Sequence, residues 1–214
     1  MNADNFPNLR RGALMSKFAD DAQWTECDGC EVAESFAAES VSPPAGVCDL
    51  SPLPRVGAKG ECAAAAPPPN TFAAMPDGAL CCRLGADEIL ILASPSGGRA
   101  EIDKTIMPSP RVHIPRRDSH CQIGLCGAEA ENVLARLCAV PPPRKNELLQ
   151  TRVADISAIV VSESRAAGGA FYLLADAGYA VHLWEEVVDV AVRIGGGIIG
   201  WKQWRDLFSA KESQ

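Results

Sequence analysis

Between His120 and Cys138 the hydrophobic period changes from two residues to that of a helix, and the change falls at Gly127. In His120–Cys126 the apolar Cys121, Ile123 and Leu125 alternate with Gln122 and Gly124, which predicts a half-buried strand. From Gly127 to Cys138 the residues Ala130, Val133, Leu134, Leu137 and Cys138 recur at helical spacing, with two glutamates in the first turn, where the helix dipole favours them. Pro141-Pro-Pro143 then stops the helix. A strand that feeds a helix through a single glycine lays that helix back on its own sheet, so an all-helical or all-β chain is excluded.

The flanking segments extend the pattern. Leu80–Leu84 and Glu88–Ala93 are apolar runs of strand length around Gly85-Ala-Asp87, the pattern of a hairpin, which Ser94-Pro-Ser-Gly-Gly98 ends. Pro108, Pro110 and Pro115 keep the next stretch extended or irregular. Val153–Ser162 is β-branched and apolar, Ala166–Gly169 punctuates it, and Ala170–Ala175 is a second run, which reads as another hairpin. Asp176 caps a helix expected through about Ile194, with Val181, Trp184, Val188, Ala191 and Gly195 on one face and Gly195-Gly-Gly197 as its end. The order β-α-β-β-α predicts an α+β fold, a mainly antiparallel sheet with helices on one face. Ser42–Gly78, rich in Pro, Ala and Gly, is expected to be a loop or ordered wrapping segment. In the first 40 residues, Met15–Phe18 is expected to open a short helix and Cys27-Asp-Gly-Cys30 to form a turn.

At 214 residues the chain is one or at most two domains. Its net charge of -7 is the wrong sign for binding nucleic acid or an anionic membrane. No run of roughly 18–20 apolar residues could span a bilayer, and the amino terminus has no basic region followed by an apolar core. A cytoplasmic location is therefore expected. The nine cysteines, an odd number, fit reduced thiols better than a disulfide framework.

Two patches resemble a known superfamily. Ala45-Gly-Val-Cys-Asp-Leu-Ser-Pro-Leu-Pro-Arg-Val-Gly-Ala-Lys-Gly60 is similar to an early segment of the folate-binding aminomethyltransferases that include the glycine cleavage T-protein. Gly78–Ala93, Ser119–Leu134 and Phe171–Trp184 together resemble the gamma subunit of heterotetrameric sarcosine oxidases and the matching small subunit of N-methylglutamate dehydrogenases. The resemblance implies a domain over residues 45–194, an N-terminal extension over 1–44 and a C-terminal aromatic tail over 195–214. It also implies a noncatalytic small subunit with no cofactor of its own. Flavin, nicotinamide and tetrahydrofolate would sit on larger flavoprotein partners that demethylate an N-methylated amino acid. No counterpart of the T-protein's catalytic acidic residue stands in its expected context, and the motif of the iron-sulfur-linked branch is absent, Lys59-Gly-Glu-Cys62 being only superficially similar. The alternative is a stand-alone folate-binding aminomethyltransferase-like protein.

Residues that could carry chemistry are few. Cys27 and Cys30 have metal-ligand spacing, with Cys48 and Cys62 the candidates to complete a zinc set; the other reading is solvent-facing thiols on a turn. Cys81, Cys82, Cys121, Cys126 and Cys138 fall within strand or helix patterns, where cysteine behaves as a small hydrophobe. Of the histidines, His182 is expected at the polar margin of its helix, and His120 is a core or interface residue. Arg111, Arg116 and Arg117 form, with His113 and His120, a basic segment in an acidic chain. It is either a solvated loop or a surface for a partner's carboxylates. Gly195–Trp204 lacks the strand-turn-helix context of a nucleotide-binding loop. Trp201 and Trp204 either pack back on the sheet or anchor a partner.

Overall fold

The computed structural model describes residues 12, 14, 17, 21–98, 100–166 and 169–209. The short helix expected at Met15–Phe18 therefore lies outside the described residues apart from Lys17. Strands β1 (Ala22–Cys27) and β2 (Cys30–Phe36) form a hairpin. Next come β3 (Gly46–Asp49), β4 (Arg55–Glu61), β5 (Thr71–Ala74), β6 (Leu80–Arg83), β7 (Glu88–Leu92) and β8 (Ser109–Pro115). Then follow β9 (His120–Cys126), helix α1 (Ala130–Leu137), β10 (Leu148–Val153), β11 (Ile156–Glu163) and β12 (Ala170–Asp176). A 3-10 turn (Ala177–Tyr179) leads into α2 (Ala180–Arg193), and β13 (Gly197–Ile198) and α3 (Trp201–Ser209) close the described chain.

The strands build two large sheets. One has the order β10-β11-β12-β9-β3-β13 and the other β5-β6-β7-β4-β8, antiparallel throughout except where β13 joins β3. The six-stranded sheet is buried on both faces. Cys121, Ile123, Leu125, Val160 and Leu173 turn one face to α1 and α2, packing on Val133, Leu134, Leu183, Trp184 and Val187. Its other face, with Cys48, Val161, Tyr172 and Leu174, meets Leu80, Cys82, Leu90 and Leu92 of the five-stranded sheet. The far face of that second sheet, Ala58, Cys81, Ile89 and Ile91, is sealed by Ala66, Ile106 and Met107 from the connecting loops.

This layering confirms the mixed α+β class and corrects several expectations. The strand at His120–Cys126 has the expected bounds, yet Gln122 is buried at 1% exposure because a second sheet covers what the alternation marked as a wet face. The hairpin of β6 and β7 and that of β11 and β12 form as expected. Val153 belongs to an additional strand, β10, joined to β11 through Ala154 and Asp155 at φ values of 49° and 62°. The order from β9 on is thus β-α-β-β-β-α. The wrapping segment at Ser42–Gly78 contains β3, β4 and β5, whose ladders are supplied by β9, β7 and β6. Pro110 and Pro115 are accommodated in β8 because it is an edge strand, bulged where it meets Lys59 and Gly60. On α2 the buried face is Ala180, Leu183, Trp184, Val187 and Ala191; Val181 is exposed, and Gly195 stands at φ 84° beyond the helix.

The segments marked off at 1–44 and 195–214 share cores with the central stretch. Trp24 and Ala33 join the core under α1 and α2, while Cys27, Val32, Trp201 and Trp204 join the core between the sheets.

Candidate functional site

Arg55, at the start of β4, is 3% exposed and carries a permanent charge into the interior. Five backbone carbonyls receive it. Nε donates to Arg116 at 3.1 Å, Nη1 to Ser51 at 3.1 Å and Leu53 at 2.9 Å, and Nη2 to Arg117 at 2.7 Å and to His120. Burial lowers the guanidinium to about 10, so it stays protonated at neutral pH. Beside it, at the end of β3, Asp49 accepts from the Ser51 backbone N–H at 2.9 Å. Burial pushes the Asp49 carboxyl up to about 6, against the hydrogen bonds of Ser51 and the charge of Arg55. Through the carbonyls of Arg116, Arg117 and His120, Arg55 pins the 116–119 connection between β8 and β9.

That connection presents a second polar layer. Arg116 donates to Glu88 at 2.9 Å and meets His120 Nε2 at 2.9 Å, while Ser119 Oγ lies 2.9 Å from His120 Nδ1 and donates to the Pro115 carbonyl at 3.0 Å. The network assigns the tautomer: Nε2 accepts from the guanidinium, and Nδ1 carries the proton toward Ser119. Burial first, then Arg116 and Arg55, lower His120 to about 4, so the ring is neutral at physiological pH.

His120 and its cross-strand partner Asp176 open into a cleft of about 450 Å³ whose other walls include Gln150, Arg152, Ser157 and Leu174. The cleft exists because the six-stranded sheet runs on past the hairpin of β6 and β7, to which Gln150 is tied by a 2.7 Å bond to the Leu84 carbonyl. Asp176 spends one oxygen capping the turn before α2, accepting from Gly178 N–H at 2.8 Å. A neutral, weakly basic imidazole and a committed carboxylate suit the binding of a small polar molecule better than proton transfer. A larger groove of about 840 Å³ runs between the Glu39–Pro44 segment and α3, where Lys202, Gln203 and Asp206 form its polar side.

The structure separates the basic residues that the sequence grouped. Arg111 is exposed on β8, as are Val112 and His113. Arg116 is held by Glu88 and His120, and Arg117 by Asp28, Cys30 and Pro52, so neither is part of a free solvated loop. Trp201 and Trp204 are 5% and 0% exposed. Trp201 donates to the Pro95 carbonyl at 3.1 Å, and Trp204 stands edge-on to Tyr172 at 5.6 Å. Of the two readings the sequence left open for these rings, packing on the sheet is the one the structure shows, since a buried ring cannot anchor a partner. Cys27 and Cys30 are buried rather than solvent-facing because the hairpin lays them against the core. Among the described residues no three His, Cys, Asp or Glu side chains converge as metal ligands, Cys48 and Cys62 included. His182 is exposed, as expected at a helix margin. Sequence reasoning missed Arg55 and Asp49 as a pair, although both stand in the Ala45–Gly60 patch.

No family model matches the chain, and no curated protein matches it. Solved structures do. The chain is similar to the glycine cleavage system aminomethyltransferase T from Bartonella henselae at a TM-score of 0.72 and 14% identity, over 94% of this chain and 62% of that one. It is also similar to a chain of the heterotetrameric sarcosine oxidase from Corynebacterium sp. U-96, in complex with pyrrole 2-carboxylate. There the TM-score is 0.56 at 14% identity, over 72% of this chain and 86% of that one. At this identity the likeness is one of fold alone.

Proposed function

We propose that the chain is a noncatalytic small subunit of a heteromeric flavoprotein oxidase or dehydrogenase. The complex demethylates an N-methylated amino acid, sarcosine or N-methylglutamate, and passes the one-carbon unit to tetrahydrofolate. Flavin, nicotinamide cofactor and folate belong to the larger subunits. The observation that carries this reading is the pair of coverages against the sarcosine oxidase chain, which make that chain shorter than this one. The likeness is thus to a small member of a heterotetramer and takes in most of it. The exposed edge strand β8, with Arg111, Val112 and His113, offers such partners unpaired backbone groups and a positive charge.

The test is coexpression of the affinity-tagged full chain with the large flavoprotein subunits of a heterotetrameric sarcosine oxidase. A yellow complex that oxidises the N-methylated amino acid, beside a colourless and inactive isolated chain, is the expected result. Bound flavin or substrate turnover in the isolated chain overturns it.

One observation favours a second reading. The match to the aminomethyltransferase takes in nearly the whole of this chain at the higher TM-score. A stand-alone folate-binding aminomethyltransferase-like protein would use the His120 cleft for part of its ligand. Tetrahydrofolate titrated into the isolated chain then quenches tryptophan fluorescence saturably, whereas the small-subunit reading expects no saturable change.

A further inference from the structure

Cys27 and Cys30 are directly opposite each other across the turn of the first hairpin. Asp28 and Gly29 make that turn at φ values of 51° and 75°, the left-handed pair that a tight two-residue connection requires. Residues flanking such a turn exchange both backbone hydrogen bonds, which sets their Cα atoms about 5.5 Å apart, inside the range that a disulfide spans. Cross-strand partners also project on the same face. The two sulfurs are therefore neighbours without any movement of the backbone.

A cation sits on one of them. Arg117 Nη2 donates to Cys30 Sγ at 3.0 Å, and the same nitrogen reaches the carbonyls of Asp28 at 2.9 Å and Pro52 at 3.0 Å. An ion pair from Nη1 to the Asp28 carboxylate, at 3.4 Å, fixes the guanidinium further. Of the two sulfurs, Cys30 is the one the guanidinium touches. Burial first, then Asp28, push the Cys27 thiol up to about 11 against the charge of Arg117, so it stays protonated. The hydrogen bond from Arg117 to Cys30 Sγ distinguishes an attacking from a resolving member. At 4% exposure for Cys30 and 7% for Cys27, neither sulfur can meet a bulky oxidant.

We propose that Cys27 and Cys30 are a hydroperoxide-reactive thiol pair in which Cys30 attacks and Cys27 resolves. The Cys30 sulfur attacks one peroxide oxygen, the O–O bond breaks, and the departing alkoxide or hydroxide takes up the Cys30 thiol proton. Cys30 is now a sulfenic acid. The sulfur of Cys27 then attacks the sulfur of Cys30, the S–O bond breaks, and hydroxide leaves with the Cys27 proton as water. In total the two thiols give up two electrons and two protons, and the hydroperoxide becomes an alcohol, or water in the case of hydrogen peroxide, plus one water.

The reduced full chain is exposed to limiting hydrogen peroxide, alkylated, digested and mapped by mass spectrometry. A disulfide linking Cys27 to Cys30 is expected ahead of oxidation at the other cysteines, reversible by dithiothreitol, with oxidised glutathione far slower. In Cys27→Ser, dimedone labels Cys30; in Cys30→Ser, Cys27 stays unlabelled. Arg117→Gln slows the reaction about tenfold, the worth of one charge-assisted hydrogen bond, while Arg117→Lys keeps part of the rate. A wild-type map in which other cysteines oxidise first overturns the proposal whatever the Arg117 variants do. So does dimedone on Cys27, or glutathione disulfide acting as fast as peroxide.

Discussion

The ring of Trp204 occupies the space that a side chain on Gly124 would need: a Cβ placed on Gly124 would lie 2.6 Å from the indole. The ring that α3 sends into the core between the sheets therefore seats on the bare backbone of β9, and the glycine that looked like a polar-face position is a socket.

From that contact a graded loss follows. Gly124→Ala forces the indole away and costs about 1–3 kcal/mol, as overpacked cores do. Trp204→Ala empties the socket and costs about 3–5 kcal/mol. Thermal melts of the isolated chain check the order, wild type above Gly124→Ala above Trp204→Ala. A Trp204→Ala protein that melts like wild type would return the ring to the surface.

Arg55 supports a sharper expectation. Replacing it with Met keeps the bulk of the side chain but leaves five inward-facing carbonyls short of a donor, and each unsatisfied buried group costs about 1–3 kcal/mol. Natural domains hold only about 5–15 kcal/mol in total. Arg55→Met is thus expected to be insoluble or unfolded by circular dichroism, while Arg55→Lys, which keeps the charge but fewer donors, folds with a lowered Tm. A native-like Tm for Arg55→Met would show that the 116–119 connection does not depend on it.

Asp49 and His120 titrate in opposite senses, and the sign of each can be worked out. Asp49 is raised to about 6 in the fold, so between roughly pH 4 and 6 the folded chain holds a proton that the unfolded chain has lost. This group makes stability fall as pH rises. His120 is lowered to about 4, so over the same window the unfolded chain binds the extra proton, and stability rises with pH. Each slope is at most about 1.4 kcal/mol per pH unit, and in the wild type they offset. His120→Gln leaves the falling slope and Asp49→Asn the rising one. Urea melts across the window should show the two variants diverging in opposite directions from wild type; parallel curves would refute the assignment.

Why these groups were hard to read in the sequence has a physical answer. The stretch from β9 into α1 was legible because each element buries one face whose period is written in Cys121, Ile123, Leu125 and then Val133 and Leu134. The turn at Ala154 and Asp155 was not, because residues that seldom adopt left-handed backbone occupy both of its positions. Val153 therefore seemed to continue into the strand that it pairs against. In β4 the hydrophobic signal is diluted by Gly57 and Gly60, and the strand owes its ladder to neighbours on both sides. The candidate site is built largely from carbonyls around Arg55, which carry no sequence signature.

The last prediction separates the partner surface from the chain's own scaffolding. Arg111 lies exposed on an edge strand, so Arg111→Glu should leave the stability of the isolated chain within the small effect of an exposed substitution, about 0.5 kcal/mol. Arg116 is half-buried and paired to Glu88, whose other ion pair among the described residues is with Lys59 at 3.0 Å. Arg116→Glu sets two carboxylates against each other there and breaks the bond to His120, costing about 2 kcal/mol before any partner is present. If β8 faces an acidic surface of a larger subunit, Arg111→Glu also lowers recovery of the complex in copurification, because like charges at an interface cost several kcal/mol. Melts of the isolated variants beside copurification with the coexpressed flavoprotein subunits distinguish the two roles. Full recovery of the complex with Arg111→Glu would remove β8 from the interface.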